Sequence, residues 1–336
     1  MSNYTARQVH LISRPVGMPI QENFKLVEVE LAAPQDGEVL VKNHYMSVDP
    51  YMRGRMRAEA VYAQPYGLNE VMYGAAVGEV IESADSSLQA GDIVLNGAAW
   101  QDKFVAKASA VNKLEPFDPK QISLYLGTLG MPGLTAYVGL TKYGEPKQGE
   151  TVFVSAASGA VGANVCQIAK LKGCRVIGSV GSDEKAQWLQ DECGVDATIN
   201  YKTCGDLTSA LLQAAPDGVD VYFENVGGEH LQAALTAMNP FGRIAACGMI
   251  ASYNNAEPQP GPNNLMLIVG KKIRINGFIV SDHADMRPQF LEEMVAWIKQ
   301  GKIKSRETLA DGIDNAVDAF LGLFGGKNFG KMIVKL

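Results

Sequence analysis

The stretch Val152-Phe153-Val154-Ser155-Ala156-Ala157-Ser158-Gly159-Ala160-Val161-Gly162 decides how this chain is read. Thr151 to Val154 is a short apolar run, entered from the polar loop Glu145-Pro146-Lys147-Gln148-Gly149-Glu150. It reads as a buried strand followed by a glycine turn and a helix start. The pattern is A-x-G-x-x-G, with Ala157 where the first glycine usually stands. In such a turn Gly159 lets the backbone approach a phosphate, and Gly162 lets the helix lie close to the strand. The free N–H groups at the helix start, with Ala160 and Val161 in the turn, then face the pyrophosphate of a dinucleotide. Alone the pattern is weak, because a turn that merely packs a helix on a strand has the same letters. The surroundings favour the dinucleotide site. Val161, Val165 and Ile168 recur at helical spacing, Gly173 closes the helix, and Arg175 to Val180 reads as the next strand.

A chain of 336 residues corresponds to roughly two domains and is ample for a large core. Hydrophobic residues make up 47% and charged residues 20%, which excludes a disordered chain. The net charge of −6 gives a nucleic-acid partner no global electrostatic support. No segment has the unbroken apolar length of a membrane span. The N-terminus, Met1 to Arg7, is polar and lacks a signal-peptide apolar stretch, so a cytoplasmic location is expected. Cys166, Cys174, Cys193, Cys204 and Cys247 match no metal or redox spacing and read as free thiols in a reducing compartment.

The first 120 or so residues read as β-rich. Phe24 to Leu31, Glu38 to Asn43, Tyr73 to Ile81 and Asp92 to Leu95 are strand candidates between turn signals, as in a compact antiparallel barrel. After Pro116-Phe117-Asp118-Pro119 the character changes, and strand and helix patterns alternate to about Val280. Val219 to Glu224, Arg243 to Cys247 and Arg274 to Val280 read as strands, Gly228 to Met238 and Asn263 to Gly270 as helices. Such alternation implies an α/β domain with a doubly wound parallel sheet. Helices and a final strand, Lys331 to Lys335, follow. The expected division is a discontinuous first domain, residues 1–122 with 288–336, and a nucleotide-binding domain over 123–287, with a ligand cleft between them.

Enzymes that take NAD usually place a carboxylate at the end of the second strand. Here that strand ends Gly178-Ser179-Val180-Gly181, and Ser182-Asp183-Glu184-Lys185 follows. A missing acid and a nearby lysine suit the 2′-phosphate of NADP, with Lys185 as a point charge and Ser182 as a hydrogen-bond donor. On spacing alone, Lys185 reads equally well as a solvated residue in a helix first turn. Tyr201, after the third strand, has the place of a residue that stacks beside adenosine, or of a plain rim residue.

Several motifs occur in order: residues 156–162, Gly181 to Lys185, Asn200-Tyr201-Lys202, Glu224-Asn225-Val226-Gly227-Gly228, Cys247 to Asn254, Gly277-Phe278-Ile279-Val280 and Lys327 to Lys331. Val48-Asp49-Pro50-Tyr51-Met52-Arg53-Gly54 stands near the start. Together they resemble the zinc-independent medium-chain dehydrogenase/reductases. The resemblance is to the leukotriene B4 dehydrogenase, prostaglandin reductase and alkenal double-bond reductase branch, nearest in appearance to the bacterial NADPH-dependent curcumin reductases. It implies a GroES-like β-barrel catalytic domain, a Rossmann domain and a homodimer formed through the Rossmann sheets. It implies an oxidoreductase that reduces an activated carbon–carbon double bond with NADPH. By position, residues 159–162 would hold the pyrophosphate. Lys185 and Tyr201 would surround the 2′-phosphate. Asn225, residues 247–253 with Cys247, Gly248 and Tyr253, residues 278–280 (Phe278, Ile279, Val280) and Asn328 would line the rest.

Zinc relatives take thiol and imidazole ligands from the first domain. Here Met1 to Val165 contains no cysteine, Tyr73-Gly74-Ala75-Ala76-Val77-Gly78 stands in place of Gly-His-Glu, and His10 and His44 make no site alone. No metal is expected, so hydrogen-bond donors must stabilise the enolate that forms on an enone or enal. Tyr51 and Tyr253 are the catalytic candidates. Tyr62, Tyr66 and Tyr73 lie where the branch varies and are candidates for shaping the substrate pocket. The eukaryotic tyrosine before Gly277 is replaced here by Val269-Gly270-Lys271-Lys272, which fits a bacterial-type reductase better than a prostaglandin-type one. Arg53, Arg55 and Arg57 read as a solvated loop, or as an attractor of an anionic substrate tail. The rival readings are a zinc-free NADPH quinone reductase and a low-turnover NADPH-binding protein.

Overall fold

A computed structural model describes residues 4–60 and 62–336. Of the polar N-terminal stretch, Met1 to Asn3 lie outside the described residues. The chain divides into two compact units. The first runs to Leu126 and takes up Glu307–Asn328 and Met332–Leu336 again; the second is Gly127–Arg306 with Phe329–Lys331.

The first unit opens with strands β1 (Tyr4–Leu11), β2 (Phe24–Leu31) and β3 (Glu38–Ser47). The short helix α1 (Met52–Arg55) and strands β4 (Glu70–Val71), β5 (Ala76–Ser83), β6 (Ile93–Asn96), β7 (Lys103–Lys107) and β8 (Asn112–Lys113) follow. β3 runs four residues beyond the expected end at Asn43. Asn43 is a buried polar residue inside a strand, and it is tolerated because the ladder with β5 shifts register between Asn43 and Tyr45. Its amide donates to the carbonyls of Ala98 and Gln101 at 2.9 Å and accepts from Asn96 at 2.9 Å. A bulge thus turns a polar side chain into a fully bonded core residue.

The second unit is an alternating succession. Helix α2 (Met131–Val138) precedes β9 (Thr151–Val154), α3 (Gly162–Leu171), β10 (Arg175–Val180), α4 (Asp183–Asp191) and β11 (Ala197–Asn200). Then come α5 (Leu207–Ala214), β12 (Val219–Glu224), α6 (Gly228–Ala237), β13 (Met238–Ala246), α7 (Met266–Lys271), β14 (Arg274–Gly277) and α8 (Arg287–Lys299). The six strands lie in the order β11-β10-β9-β12-β13-β14, and every pair is parallel. The order reverses between β9 and β12, the switch point at which doubly wound sheets bind ligands. The four residues of β9 are buried, as a central parallel strand requires. Phe153 stacks on Tyr222 with centroids 5.0 Å apart.

Three sequence boundaries are corrected. The strand expected at Arg243 is the second half of β13, which begins at Met238 and irregularly follows β12. The strand expected to reach Val280 stops at Gly277. There Phe278 turns inward to stack on Tyr143 at 5.0 Å, and short helical turns begin at Val280. The helix expected from Asn263 starts at Met266, because Asn264 is tied to α6 by bonds to Gln232 O and Thr236 Oγ1, both 2.9 Å.

The chain then returns to the first unit through β15 (Glu307–Asp311), α9 (Ala316–Phe324) and β16 (Lys331–Lys335). These close a seven-stranded sheet, β15-β16-β3-β5-β6-β8 with β7 beside β3; β2-β1-β4 form a separate sheet. Trp100 is fully buried, stacked on Phe24 at 6.4 Å and edge-on to Phe320 of α9 at 6.0 Å.

The tightest requirement is at Gly162. A Cβ there would lie 2.4 Å from the carbonyl oxygen of Ala156 and 2.8 Å from Ala157 Cα. Gly162→Ala is therefore expected to destabilise the protein by about 2 kcal/mol, as overpacking a rigid backbone contact does. Chemical denaturation would read this as a lower midpoint; an unchanged midpoint contradicts the close packing.

Candidate functional site

The turn after β9 is built on backbone. Ala156 takes a left-handed conformation, φ +49°, which turns its carbonyl oxygen toward the turn, where it accepts from the Gly159 N–H at 2.9 Å. Asn164 donates to Ala160 O at 2.8 Å and steadies the turn from inside α3. A second segment pins it from outside. Gly330 N–H donates to Ser158 O at 2.9 Å, and Gly330 bridges to Gly159. Gly330 has φ +67°, and a Cβ on it would lie 1.8 Å from Arg306 O. Phe329 beside it sits under the Arg306 guanidinium at 3.6 Å and edge-on to Trp188 at 5.2 Å. Gly159, Ala160 and Val161 remain part-exposed above the N-terminus of α3, the geometry of an anion site.

At the end of β10, Ser182 caps α4 by accepting from Lys185 N–H at 3.4 Å. Asp183 accepts from Asn200 at 2.7 Å, and Glu184 lies 3.3 Å from Arg306, although its charge also reaches the Lys185 ammonium and favours it. Lys185 is half-buried. Burial, and next the charge of Lys202, hold its ammonium below the usual lysine range. The Lys202 charge thus opposes that of Lys185, a repulsion that Glu184 lessens and a bound anion would relieve. Tyr201 is 39% exposed. A Cβ on Gly181 would lie 2.8 Å from its hydroxyl and 3.3 Å from Lys202 Cε, so the glycine leaves room for both. Behind the ring stands His230, 5.3 Å away and edge-on, with Nε2 2.7 Å from Ser179 Oγ. Burial pushes its imidazole down to about 4, so it is neutral.

At the end of β12, Glu224 is fully buried, and its Oε1 accepts from Tyr222 Oη (2.7 Å), Val226 N–H (2.6 Å) and Gly227 N–H (2.8 Å). Burial raises this carboxyl above the usual glutamate range despite those bonds. Asn225 is fixed to Ser155 by its backbone N–H (2.9 Å) and its amide (2.8 Å). The N–H groups of Cys247 and Gly248 donate to Glu224 O. Burial and Glu224 push the Cys247 thiol up to about 12, so it stays neutral. Tyr253 brings its hydroxyl to 2.9 Å from a Cβ built on Gly248. In the 278–280 segment Phe278 is buried, while Ile279 is exposed and Val280 part-exposed. The second unit thus gathers every cofactor candidate except Asn328, which belongs to the first unit.

In the first unit, Tyr51 immediately precedes α1. Burial, and next the charge of Asp49, hold its phenol far above the tyrosine range, while the Arg55 guanidinium acts in the opposite direction. The arginine run is not one feature. Arg53 is 3% exposed and donates to Gly17 O at 2.8 Å, so the solvated-loop reading fails for it: a carbonyl takes the place of water. Arg55 lies over the rings of Tyr66 and Tyr73 at 4.6 and 3.8 Å. Arg57 is exposed.

Glu224, His230 and Lys202 were not singled out from sequence. Glu224 had a signal, a carboxylate two and three residues before turn N–H groups. His230, in a helix, had none. Among the described residues, no group of three or more His, Cys, Asp or Glu side chains could hold a metal ion. The residues do not fit a zinc site.

Two family profiles match: "N-terminal domain of oxidoreductase" over residues 7–114 and "Zinc-binding dehydrogenase" over 160–299. A putative NADP-dependent oxidoreductase, YfmJ, of Bacillus subtilis is 46% identical over 98% of this chain and 97% of its own length. The NADPH-dependent curcumin reductase of Escherichia coli is 44% identical over 97% and 95%. The crystal structure of CurA from Vibrio vulnificus in complex with NADPH superposes with a TM-score of 0.93 at 43% identity, covering 98% of each chain. The chain belongs to the medium-chain dehydrogenase/reductase family. Within it, the similarity runs to the curcumin reductase branch.

The neutral His230 sets a pH dependence. Its folded value of about 4 lies below the ordinary 6.5, so unfolding takes up a proton between those values. Stability is full above pH 6.5 and falls as pH drops toward 4. His230→Gln is expected to remove up to one proton from the slope of unfolding free energy against pH in that window. An unchanged slope contradicts the buried neutral imidazole.

Proposed function

We propose that the chain reduces the carbon–carbon double bond of α,β-unsaturated ketones or aldehydes with NADPH. It is an NADP-dependent oxidoreductase acting on C=C bonds, of the curcumin and alkenal reductase kind. The observation that carries the cofactor reading is the adenosine end: the charges of Lys185 and Lys202 act on each other, Lys202 and Tyr201 both lie over Gly181, and Asp183 is bonded to Asn200.

In this reading residues 159–162 take the pyrophosphate, and Lys185, Ser182 and Tyr201 take the 2′-phosphate. Asn225, Cys247, Gly248, Tyr253, Phe278, Ile279, Val280 and Asn328 line the remainder. The coenzyme, when bound, supplies the hydride. Tyr51 and Tyr253 are the proposed donors to the enolate oxygen that grows on the substrate carbonyl. Tyr51 suits a donor role because its phenol stays protonated across the physiological range. Protonation at the α-carbon then comes from a tyrosine or from water. The 1–122 and 288–336 segments are the proposed catalytic domain, and 123–287 the cofactor domain.

The proposed assembly is a homodimer. β14 is an edge of the parallel sheet, and near it Met266, Val269 and Ile275 are 78%, 72% and 39% exposed. Unpaired backbone and apolar side chains of this kind favour a second copy of the same edge. A cytoplasmic location is supported by five free cysteines. Among the described residues no helix is long and apolar enough to cross a membrane.

Lys185→Ala is expected to raise the KM for NADPH about tenfold or more, as loss of a charge-assisted bond does, with little change for NADH. An equal loss with both coenzymes contradicts the 2′-phosphate role. Tyr51→Phe and Tyr253→Phe, assayed with an aryl enone at saturating NADPH, test the donors. Loss of one oxyanion donor costs about 10²-fold in kcat. If neither variant loses even threefold, tyrosine donation is wrong.

A further inference from the structure

Arg55 stands four residues after Tyr51, which places the two side chains on one side of a single helical turn. The guanidinium is held by three groups of the first unit itself. Its Nε donates to Gln64 O at 2.9 Å. Its plane lies 3.8 Å above the Tyr73 ring and 4.6 Å from the Tyr66 ring. The two rings are locked to each other, edge-to-face at 5.1 Å, with Tyr66 Oη donating to Tyr73 O at 2.8 Å. Tyr66 N–H in turn donates to Arg55 O at 2.7 Å. The clamp is therefore closed through both backbone and side chain.

Aromatic faces hold a cation without neutralising it. No carboxylate forms a salt bridge with Arg55 among the described residues, so its charge remains available to the hydroxyl it faces. The hydroxyl beside it is that of Tyr51, which lies 3.8 Å from a Cβ built on Gly74, the residue after Tyr73, and whose anion the Arg55 guanidinium favours. Arginine carries donors only. In any bond between the two the phenol oxygen accepts, which leaves the phenol proton to be given elsewhere. An oxygen that accepts from a cation also gives its own proton more strongly.

We infer that Arg55 is a positioning residue for Tyr51: clamped between Tyr66 and Tyr73, it fixes the phenol and strengthens it as a hydrogen-bond donor toward the substrate oxygen. This rests on the reading of Tyr51 as a donor. It also assigns Tyr66 and Tyr73 to holding the arginine, and it separates Arg55 from the anionic-tail role, which would act on charged substrates alone.

The test is a double-mutant cycle on Tyr51→Phe and Arg55→Met, with a neutral aryl enone and a carboxylate-tailed enone, each at saturating NADPH. Arg55→Met is expected to lower kcat about tenfold on both substrates, part of the worth of one oxyanion donor. The KM for NADPH stays unchanged. The double variant is expected to be no slower than Tyr51→Phe alone within twofold, and Arg55→Lys to recover part of the loss. In 13Cζ-tyrosine-labelled protein without substrate, the resonance that disappears in Tyr51→Phe is expected to shift in Arg55→Met. If Arg55→Met does not fold, Arg55→Lys carries the same comparisons with a smaller loss. Losses that multiply, or a loss confined to the KM of the charged enone, overturn the inference. A slow Tyr51→Phe beside an Arg55→Met at wild-type kcat overturns Arg55 alone. Wild-type kcat in Tyr51→Phe removes the donor reading, and this role with it.

Discussion

The contact between Gly162 and the carbonyl of Ala156 is the constraint from which the second unit is built. α3 can follow β9 this closely only because one residue lacks a side chain and another accepts a left-handed backbone. The approach leaves Gly159, Ala160 and Val161 as bare backbone over the helix N-terminus. It also sets the position of Ser155, whose hydroxyl and carbonyl hold Asn225 at the end of the adjacent strand. The fully buried carboxylate of Glu224 then ties the next turn to the same point. The cost of that burial is only partly offset: four donors reach Oε1, from Ser155, Tyr222, Val226 and Gly227, while Oε2 has no partner. One close contact and one buried acid thus organise the strand ends on both sides of the switch point.

The adenosine end follows a different logic. In the proposed reading, selectivity there comes from arranging charge rather than from adding contacts. Asn200 bonds Asp183 and Arg306 pairs with Glu184, and the Lys202 charge weighs against the Lys185 ammonium more than Glu184 supports it. An ammonium that is half-buried and faces a second positive charge is favoured by a ligand that brings negative charge. The neutral His230 behind Tyr201 adds no third charge, so it supports the ring without altering that balance.

Much of this was legible in the sequence where local rules decide the outcome. The glycine turn, the alternation of strands and helices and the missing acid after β10 are short-range signals. They lead directly to the parallel sheet and to the phosphorylated coenzyme. What was not legible depends on partners distant in sequence. Asn43 looks like a strand end, and only its bonds to Ala98, Gln101 and Asn96 make it a core residue. Arg53 looks solvated, and the carbonyls of Pro15 and Gly17 take the place of water around it. Phe278 looks like part of a strand, and the rings of Tyr143 and Phe223 hold it inward. The pinning of the glycine turn by Gly330 joins positions 171 residues apart (330 − 159), beyond any local pattern.

The claim that most needs testing is that the second unit recognises the 2′-phosphate by charge. Equilibrium titration of the wild-type protein with NADPH and with NADH, at increasing salt concentration, tests it without catalysis. NADPH is expected to bind at least about tenfold tighter at low salt, the worth of charge-assisted bonds to a phosphate. That margin should narrow as salt screens the lysines. Equal affinities at low salt, or a margin indifferent to salt, would contradict the account.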